Sequence, residues 1–242
     1  MDVSPRCSIV IPVYKEQENI NICLQHLCRL RGIESSEAVV VDGDGGSTLR
    51  AIRRRDFPFR LVEIISQRGR GVQLNAGAEA ASAACLLFLH VDTLLPKAGL
   101  ALVPRTLKDH DAGAFALGVI GAGPLFKTWL AYVNVRKRLS FTPYGDQAIF
   151  MTRDTYHRVG GFPQIPIMED VAMTDRLKRA GFGLKLLHSR VLTSARRWKN
   201  SGYFLNFLKN TALFTLYRMG VSPWKLAGYY RHNSDKIGKI DR

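Results

Sequence analysis

The chain has 242 residues, 46% of them hydrophobic, which is enough for one large domain or a domain with an appendage. Its formal net charge of +15 points to a polyanionic partner: nucleic acid, an anionic membrane surface or phosphorylated substrates. No common nucleic-acid motif is present, and no uninterrupted apolar stretch of about 20 residues exists to form a membrane span.

The charge is uneven. Between Lys185 and Arg242 lie six Lys and six Arg against only Asp235 and Asp241, a balance of +10 in an aromatic-rich region. The residues from Met1 to Arg6 lack the charged-then-apolar pattern of a signal peptide, which predicts a cytoplasmic protein. Cys7, Cys23, Cys28 and Cys85 show no CxxC spacing and read as reduced, buried thiols.

In chain order, the apolar run Ser8–Tyr14 predicts a first buried strand. Ile20, Cys23, Leu24, Leu27 and Leu30 follow at helical spacing, with Gly32 as a stop. Glu37–Asp42 predicts a second strand that delivers Asp42 and Asp44 to the sheet edge. The glycine-rich turn after it is not a dinucleotide fingerprint, because Thr48 stands where the third glycine belongs, and the chain contains no P-loop. Turn chemistry alone also accounts for Asp and Gly there. A basic helix is expected over Thr48–Asp56, and a third strand over Arg60–Ile65. Arg68 and Arg70 flank a glycine ahead of an alanine-rich helix reaching about Ala84. Guanidinium groups near a helix start suit a phosphate.

A fourth strand, Leu86–Asp92, carries His90 and Asp92 at its carboxyl end. Two residues apart on a strand, they would point the same way, one nitrogen and one carboxylate for a divalent metal or a metal-bound diphosphate. Four strand–helix alternations predict a parallel α/β sheet with helices on both faces. Its carboxyl edge, where such sheets bind ligands, would carry Tyr14, Glu16, Asp42, Asp44, Arg70, His90 and Asp92.

These residues carry a resemblance. Ile11-Pro12-Val13-Tyr14-x-Glu16, Val41-Asp42-Gly43, Asn75-x-Gly77 and Phe88-Leu89-His90-Val91-Asp92-Thr93 resemble the family 2 glycosyltransferases, as do the later Gly145–Phe150, Gly160-Gly161-Phe162 and Glu169-Asp170. The resemblance covers residues 7–200 and implies a GT-A (Rossmann-like) fold with a mixed, mostly parallel sheet. It implies a transferase that moves a sugar from a nucleotide-diphosphate donor to an acceptor hydroxyl or a lipid phosphate, with inversion. A divalent metal, Mn2+ or Mg2+, would be held by Asp92. The family's Asp-x-Asp motif has His90 in its first place here. Pro12, Val13, Tyr14, Glu16, Asp42 and Asp44 would hold the nucleoside, and Arg70 the base or diphosphate.

The same resemblance divides the chain into a catalytic domain over 1–200, with a nucleotide half (1–96) and an acceptor half (97–200), and an amphipathic C-terminal segment over 201–242. In the acceptor half a helix is expected over Leu125–Leu139 and a strand over Ala148–Met151. Asp146 and Gln147 would lie near the sugar or acceptor. Glu169 and Asp170 open a helix, and Asp170 also reads as its N-cap. By resemblance Asp170 is the catalytic base and Glu169 an acceptor-side residue. A further strand, Leu184–Leu192, carries His188, assigned to packing. Arg197 and Trp198 resemble the end of the Gln-x-x-Arg-Trp motif of processive members, but the Gln is missing; they would bind diphosphate and acceptor. Tyr203–Tyr217 has the composition of an interfacial helix, and equally of an amphipathic helix packed over the catalytic domain or at a dimer contact. The expected partners are a nucleotide-diphosphate sugar, a lipid-linked acceptor and an anionic membrane surface, with no nucleic acid. The rival reading is an inactive GT-A-like protein that binds a nucleotide sugar or a membrane surface.

Overall fold

The apolar runs of the first half become parallel strands. The computed structural model describes residues 5–54, 56–120, 143–194 and 203–229. Strand β1 (Cys7–Val13) leads to helix α1 (Ile20–Leu27), then β2 (Ser36–Asp42), the single turn α2 (Ser47–Arg50), β3 (Arg60–Ile65), α3 (Arg70–Ala80) and β4 (Cys85–Phe88). Strand β1 pairs in parallel with β2 on one side and β4 on the other, and β3 pairs in parallel with β2. Buried on both faces, these strands read as continuous apolar runs.

The second half adds β5 (Thr93–Leu94), α4 (Gly99–Thr106), β6 (Ala112–Ile120), β7 (Phe150–Thr152), α5 (Arg153–Arg158), α6 (Glu169–Arg179), β8 (Leu184–Ser194) and α7 (Tyr203–Arg218). A last helical run covers 223–229. One eight-stranded sheet results, in the order β3-β2-β1-β4-β7-β6-β8-β5. β7 is antiparallel to both β4 and β6, and β6 and β8 are parallel. No helix among the described residues is long and apolar enough to cross a membrane.

Each face of the sheet buries its own core. Ile9, Ile11 and Val13 of β1 face Ile20, Leu24 and Leu27 of α1 and Leu100 and Val103 of α4. Val10 of β1 and Val39 and Val41 of β2 face Leu74 and Ala78 of α3 and Met173 and Leu177 of α6. Gly77 lets α3 approach, because a Cβ there would lie 2.4 Å from Val10 Cγ1 and 2.9 Å from Val41 Cγ2.

Several expectations are corrected. The helix expected over Thr48–Asp56 is one turn long. The Asn21 side chain of α1 takes the Ala51 carbonyl at 2.8 Å and the Arg53 amide at 2.8 Å, which diverts the backbone. Helix α3 stops at Ala80, not Ala84. Arg153 donates to the carbonyls of Ala78, Ala81 and Ala83, covering its C-terminal end. The strand expected to reach Asp92 ends at Phe88. His188 is exposed rather than packed. The expected helix at 125–139 lies outside the described residues, as do Arg197 and Trp198.

At the amino end of the sheet, Glu37 is fully buried. Its carboxylate accepts from Ser8 Oγ (2.5 Å), Ser82 N (2.5 Å) and Ser82 Oγ (2.9 Å), and Arg60 lies at 3.3 Å. Burial raises the pKa of this carboxyl, but the Ser8 and Ser82 hydrogen bonds and the Arg60 charge outweigh it, so the net shift is downward. Its contribution to stability is complete above the unfolded-state value of about 4.3 and is lost as pH falls through the lower folded value. Glu37→Ala orphans buried donors and should cost about 2–3 kcal/mol in urea unfolding at pH 7. That deficit should shrink as the pH falls below about 4.

Candidate active site

The carboxyl ends of β1, β2 and β4 meet at one edge of the sheet, where Val13 and Asp42 lie level in register. The Gln73 side chain of α3 spans this edge, donating to Val13 O (2.7 Å) and Val41 O (2.8 Å). Gly43 makes room for it, since a Cβ at 43 would lie 2.9 Å from Gln73 Cδ. Nothing local in the sequence marks Gln73, whose partners lie 60 and 32 residues away.

Asp42 is fully buried. Its Oδ1 accepts from Asp44 N (2.6 Å), and its Oδ2 accepts from Thr48 N (2.7 Å) and Leu49 N (3.2 Å). The carboxylate therefore builds the turn and starts α2. Asp44 Oδ2 accepts from Ser47 Oγ (2.8 Å). Glu16 sits across from this turn: its amide donates to Thr48 Oγ1 (3.1 Å), and its Oε2 accepts from Asn19 Nδ2 (2.6 Å). Pro12 is half-buried and the Val13 side chain is buried, so Val13 meets the edge through its backbone. Tyr14 is half-buried, with the Arg68 guanidinium 4.3 Å from its ring centroid. Of the two arginines around the start of α3, Arg68 thus joins the Tyr14 side and Arg70 does not.

Arg70 turns to α6 and the turn after β4. Its Nε lies 3.0 Å from Glu169 Oε1, and its Nη2 is 3.2 Å from His90 Nδ1. Glu169 is only 3% exposed. Burial raises its carboxyl above the usual range, while the Arg70 charge pulls it back down and neighbouring Asp170 pushes it up again. Asp170 is the second residue of α6, not its N-cap. That position belongs to Met168, at φ +66°, with no side-chain cap. Asp170 Oδ1 accepts from Val171 N (2.7 Å) and Oδ2 from Gly145 N (2.5 Å), so two backbone amides set the carboxylate's orientation.

These residues line a small cleft: Arg70, His90, Gly145, Glu169 and Asp170 over an apolar floor that includes Phe88 and Phe162. Gly145 is the point of closest approach. A Cβ there would meet Arg70 Nη2 at 2.4 Å, His90 Nε2 at 3.0 Å and Asp170 Oδ2 at 3.2 Å. Asp146 and Gln147 occupy the adjoining 3-10 turn. Gln147 is fully buried, donating to Phe115 O (2.8 Å) and accepting from Tyr144 N (3.1 Å), so its side chain holds the turn.

His90 and Asp92 do not share a strand face. Thr93 N donates to His90 O at 3.0 Å, closing a turn over 90–93. His90 faces Arg70. The Asp92 charge acts, after burial, on the Cys23 thiol of α1, which is pushed up to about 12. Among the described residues, no three His, Cys, Asp or Glu side chains converge as a metal site.

The motif Asn75-x-Gly77 and the loop 160–162 prove to be one clamp. Asn75 donates to Phe162 O (2.8 Å) and accepts from Phe162 N (2.8 Å) and Tyr156 Oη (2.8 Å). It pins the loop 160–162 to α3. Beyond it, α7 packs near the Gly145 turn and α6: Phe214 meets Tyr144 edge-on at 6.1 Å, and Arg218 pairs with Asp175 of α6 at 2.9 Å.

The sequence pattern of the family described as Glycosyl transferase family 2 matches residues 8–162, well over half the chain. The chain belongs to glycosyl transferase family 2. Among curated relatives of this family 2 chain is the glycosyltransferase AglE of Haloferax volcanii, 28% identical over 197 residues, which are 76% of this chain and 65% of the relative. The chain thus spans just under two thirds of that protein's length. Solved structures with the same fold include TarS of S. aureus, with a TM-score of 0.63, 15% identity and coverage of 78% of this chain and 36% of that one. Another is the mannosyltransferase PcManGT of Pyrobaculum calidifontis in complex with GDP-Man and Mn2+, with a TM-score of 0.60, 21% identity and coverage of 78% and 56%. The GT-A architecture and the family 2 membership expected from the motifs both stand.

Gly145→Ala tests the crowding at the cleft. The group displaced first is the flexible end of Arg70, so the stability cost should stay near 1 kcal/mol, about 2–4 °C in melting temperature. Sugar transfer should nevertheless fall by about 100-fold, because Arg70, His90 and Asp170 are all disturbed.

Proposed function

We propose that this family 2 transferase moves a single hexose-type sugar, with inversion, from a nucleotide-diphosphate donor to an acceptor hydroxyl or lipid phosphate. The observation that carries this reading is the Asp170 carboxylate, aimed by two backbone amides into a cleft shared with Arg70 and His90 beside the carboxyl ends of the parallel strands. The nucleoside would lie along Pro12–Glu16, Asp42 and Asp44, with Tyr14 and Arg68 at its side.

Asp170 Oδ2 would take the proton from the acceptor hydroxyl as that oxygen attacks the anomeric carbon. The new bond forms on the face opposite the leaving diphosphate, so no covalent sugar–enzyme intermediate arises. The positive charge of Arg70, held by Glu169, would lie beside the bond that breaks. Asp146, Arg197 and Trp198 remain acceptor- or sugar-side candidates.

Asp92 offers a single carboxylate. That donor fits a divalent ion bound through one or two carboxylates plus substrate phosphates, and among the described residues no all-protein cluster exists. Mn2+ or Mg2+ held by Asp92 would, when bound, neutralise charge on the leaving diphosphate.

The C-terminal segment supports a peripheral position on the cytoplasmic face of an anionic membrane. Leu216, Met219, Trp224 and Tyr229 are exposed, Met219 by 75%, and the segment is strongly basic. Because α7 packs against Tyr144 and α6, a lipid-linked acceptor held there would enter the cleft from the Asp170 side.

A panel of nucleotide sugars, read by release of nucleoside diphosphate and by mass spectrometry of the acceptor, tests the reading. One donor should be consumed. Asp170→Asn should lower turnover by about 10²–10⁴-fold with donor affinity little changed when the acceptor is a hydroxyl. A loss confined to donor binding would remove the base role, and no turnover of any donor would remove the activity.

A further inference from the structure

Helix α7 is held to the active-site edge at two points. Phe214 meets Tyr144 edge-on at 6.1 Å, and Arg218 pairs with Asp175 of α6 at 2.9 Å. Both points adjoin Asp170. Tyr144 precedes Gly145, whose amide donates to Asp170 Oδ2, and Asp175 lies further along the same helix as Asp170. The Arg218 guanidinium also stands 5.1 Å from the Phe214 ring centroid, so the two contacts belong to one face of α7.

Tyr217 shares that face. Positions 217 and 218 follow 214 by three and four residues, which puts all three on one side of the helix. Burial agrees: Phe214 and Tyr217 are half-buried, while Thr215, Leu216 and Met219 are exposed. Asp170 lines the cleft and Tyr217 does not, so the phenol stands ready for a group that approaches Asp170 from the α7 side. Burial pushes the pKa of this phenol up, and the charges of Asp175 and Asp170 push it further, against the pull of Arg218 and Arg179. The hydroxyl therefore keeps its hydrogen at neutral pH and is a donor. Among the described residues, no group accepts from it.

We propose that Tyr217 is an acceptor-holding residue, whose hydroxyl donates to the oxygen that attacks the sugar and keeps that oxygen beside Asp170. The assignment rests on the transferase reading above and extends the site to α7. One lone pair of the attacking oxygen takes the Tyr217 hydrogen, and the other forms the bond to the anomeric carbon. The bond from that carbon to the diphosphate oxygen breaks, and its electron pair leaves with the diphosphate. The proton of the attacking O–H passes to Asp170. Tyr217 orients the nucleophile and makes no contact with the donor nucleotide, so its loss acts on turnover and not on donor binding.

Water is the probe, since without an acceptor it takes the same place beside Asp170 and receives the sugar. Donor hydrolysis is followed on the full chain by release of nucleoside diphosphate, in the unaltered protein, Tyr217→Phe and Thr215→Ala. Tyr217→Phe keeps the ring and removes only the hydroxyl. Thr215→Ala removes an exposed hydroxyl of the same helix that donates to Thr211 O at 2.9 Å. In Tyr217→Phe, kcat should fall about 3–10-fold, the value of one hydrogen bond. Donor KM should stay within about 2-fold and the melting temperature within about 2 °C. Thr215→Ala should hydrolyse the donor at the unaltered rate. An unchanged kcat in Tyr217→Phe, or an equal loss in Thr215→Ala, would overturn the proposal. A loss expressed in donor KM would place Tyr217 on the donor instead, and a loss that follows a lowered melting temperature would make it a packing residue; either overturns the proposal too. If the unaltered protein consumes no donor at all, the transferase reading fails and takes this assignment with it. If it consumes one and only Tyr217→Phe disobeys, the transferase reading survives and the Tyr217 assignment alone is lost.

Discussion

The site depends on the placement of one charge. Arg70, at the first position of α3, reaches across to Glu169 at the first position of α6 and to His90 beyond the end of β4. Glu169 is buried, and without Arg70 it would be an unpaired carboxylate in the protein interior, which is far costlier than an exposed pair is favourable. The pair therefore couples α3 to α6. Gly71 and Asn75 reinforce the same joint. A Cβ at 71 would lie 2.4 Å from Pro163 O, and Asn75 clamps the backbone of Phe162.

Around that joint, polar residues at the sheet edge divide their work. Asp42, Gln73 and Gln147 are buried and satisfied by the protein itself, so their contribution is to fix the turns on which other side chains stand. Asp170 and Arg70 face the cleft. A rigid edge carrying a small set of aimed groups is what a transfer reaction requires, since reacting atoms must meet within a few tenths of an ångström of the productive geometry.

The parallel half was legible in the sequence because its strands are continuous apolar runs between turn residues, as in Ile9–Val13 and Ala38–Val41. Strand β6 was not. Its run Ala112–Ile120 contains Gly113 and Gly118, which read as breakers. In the fold these glycines serve close contact: a Cβ at 113 would strike the Phe150 ring and Lys185 O, and one at 118 would strike Leu192. His90 and Asp92 were misplaced together, because a period of two holds only while the strand lasts and the chain turns at 90–93. The short α2 and the early end of α3 depended on Asn21 and Arg153, whose partners are about 30 and 70 residues away. Asp170, Arg70 and His90 stand in the sequence as separate motif residues, and the contacts they share in the fold are not legible there, for the same reason of distance along the chain. In the sequence Arg68 is a flanking arginine with no marked partner, and only the fold sets it over Tyr14.

The central claim is that one nucleoside diphosphate and one divalent ion bind together at this edge, with Asp92 as the protein's ligand to the ion. A thermal-shift series of UDP, GDP, CDP and dTDP, each with Mn2+, Mg2+ or EDTA, tests it most directly in the unaltered protein and in Asp92→Ala. Ligand at about 100 times its dissociation constant adds about 2.7 kcal/mol, or roughly 5–10 °C for a chain of this size. The account predicts a shift of that order with one nucleotide, removed by EDTA and absent in Asp92→Ala, whose own melting temperature stays near that of the unaltered protein. A nucleotide shift that survives both EDTA and Asp92→Ala would contradict the metal assignment, and no shift with any nucleotide would contradict the site.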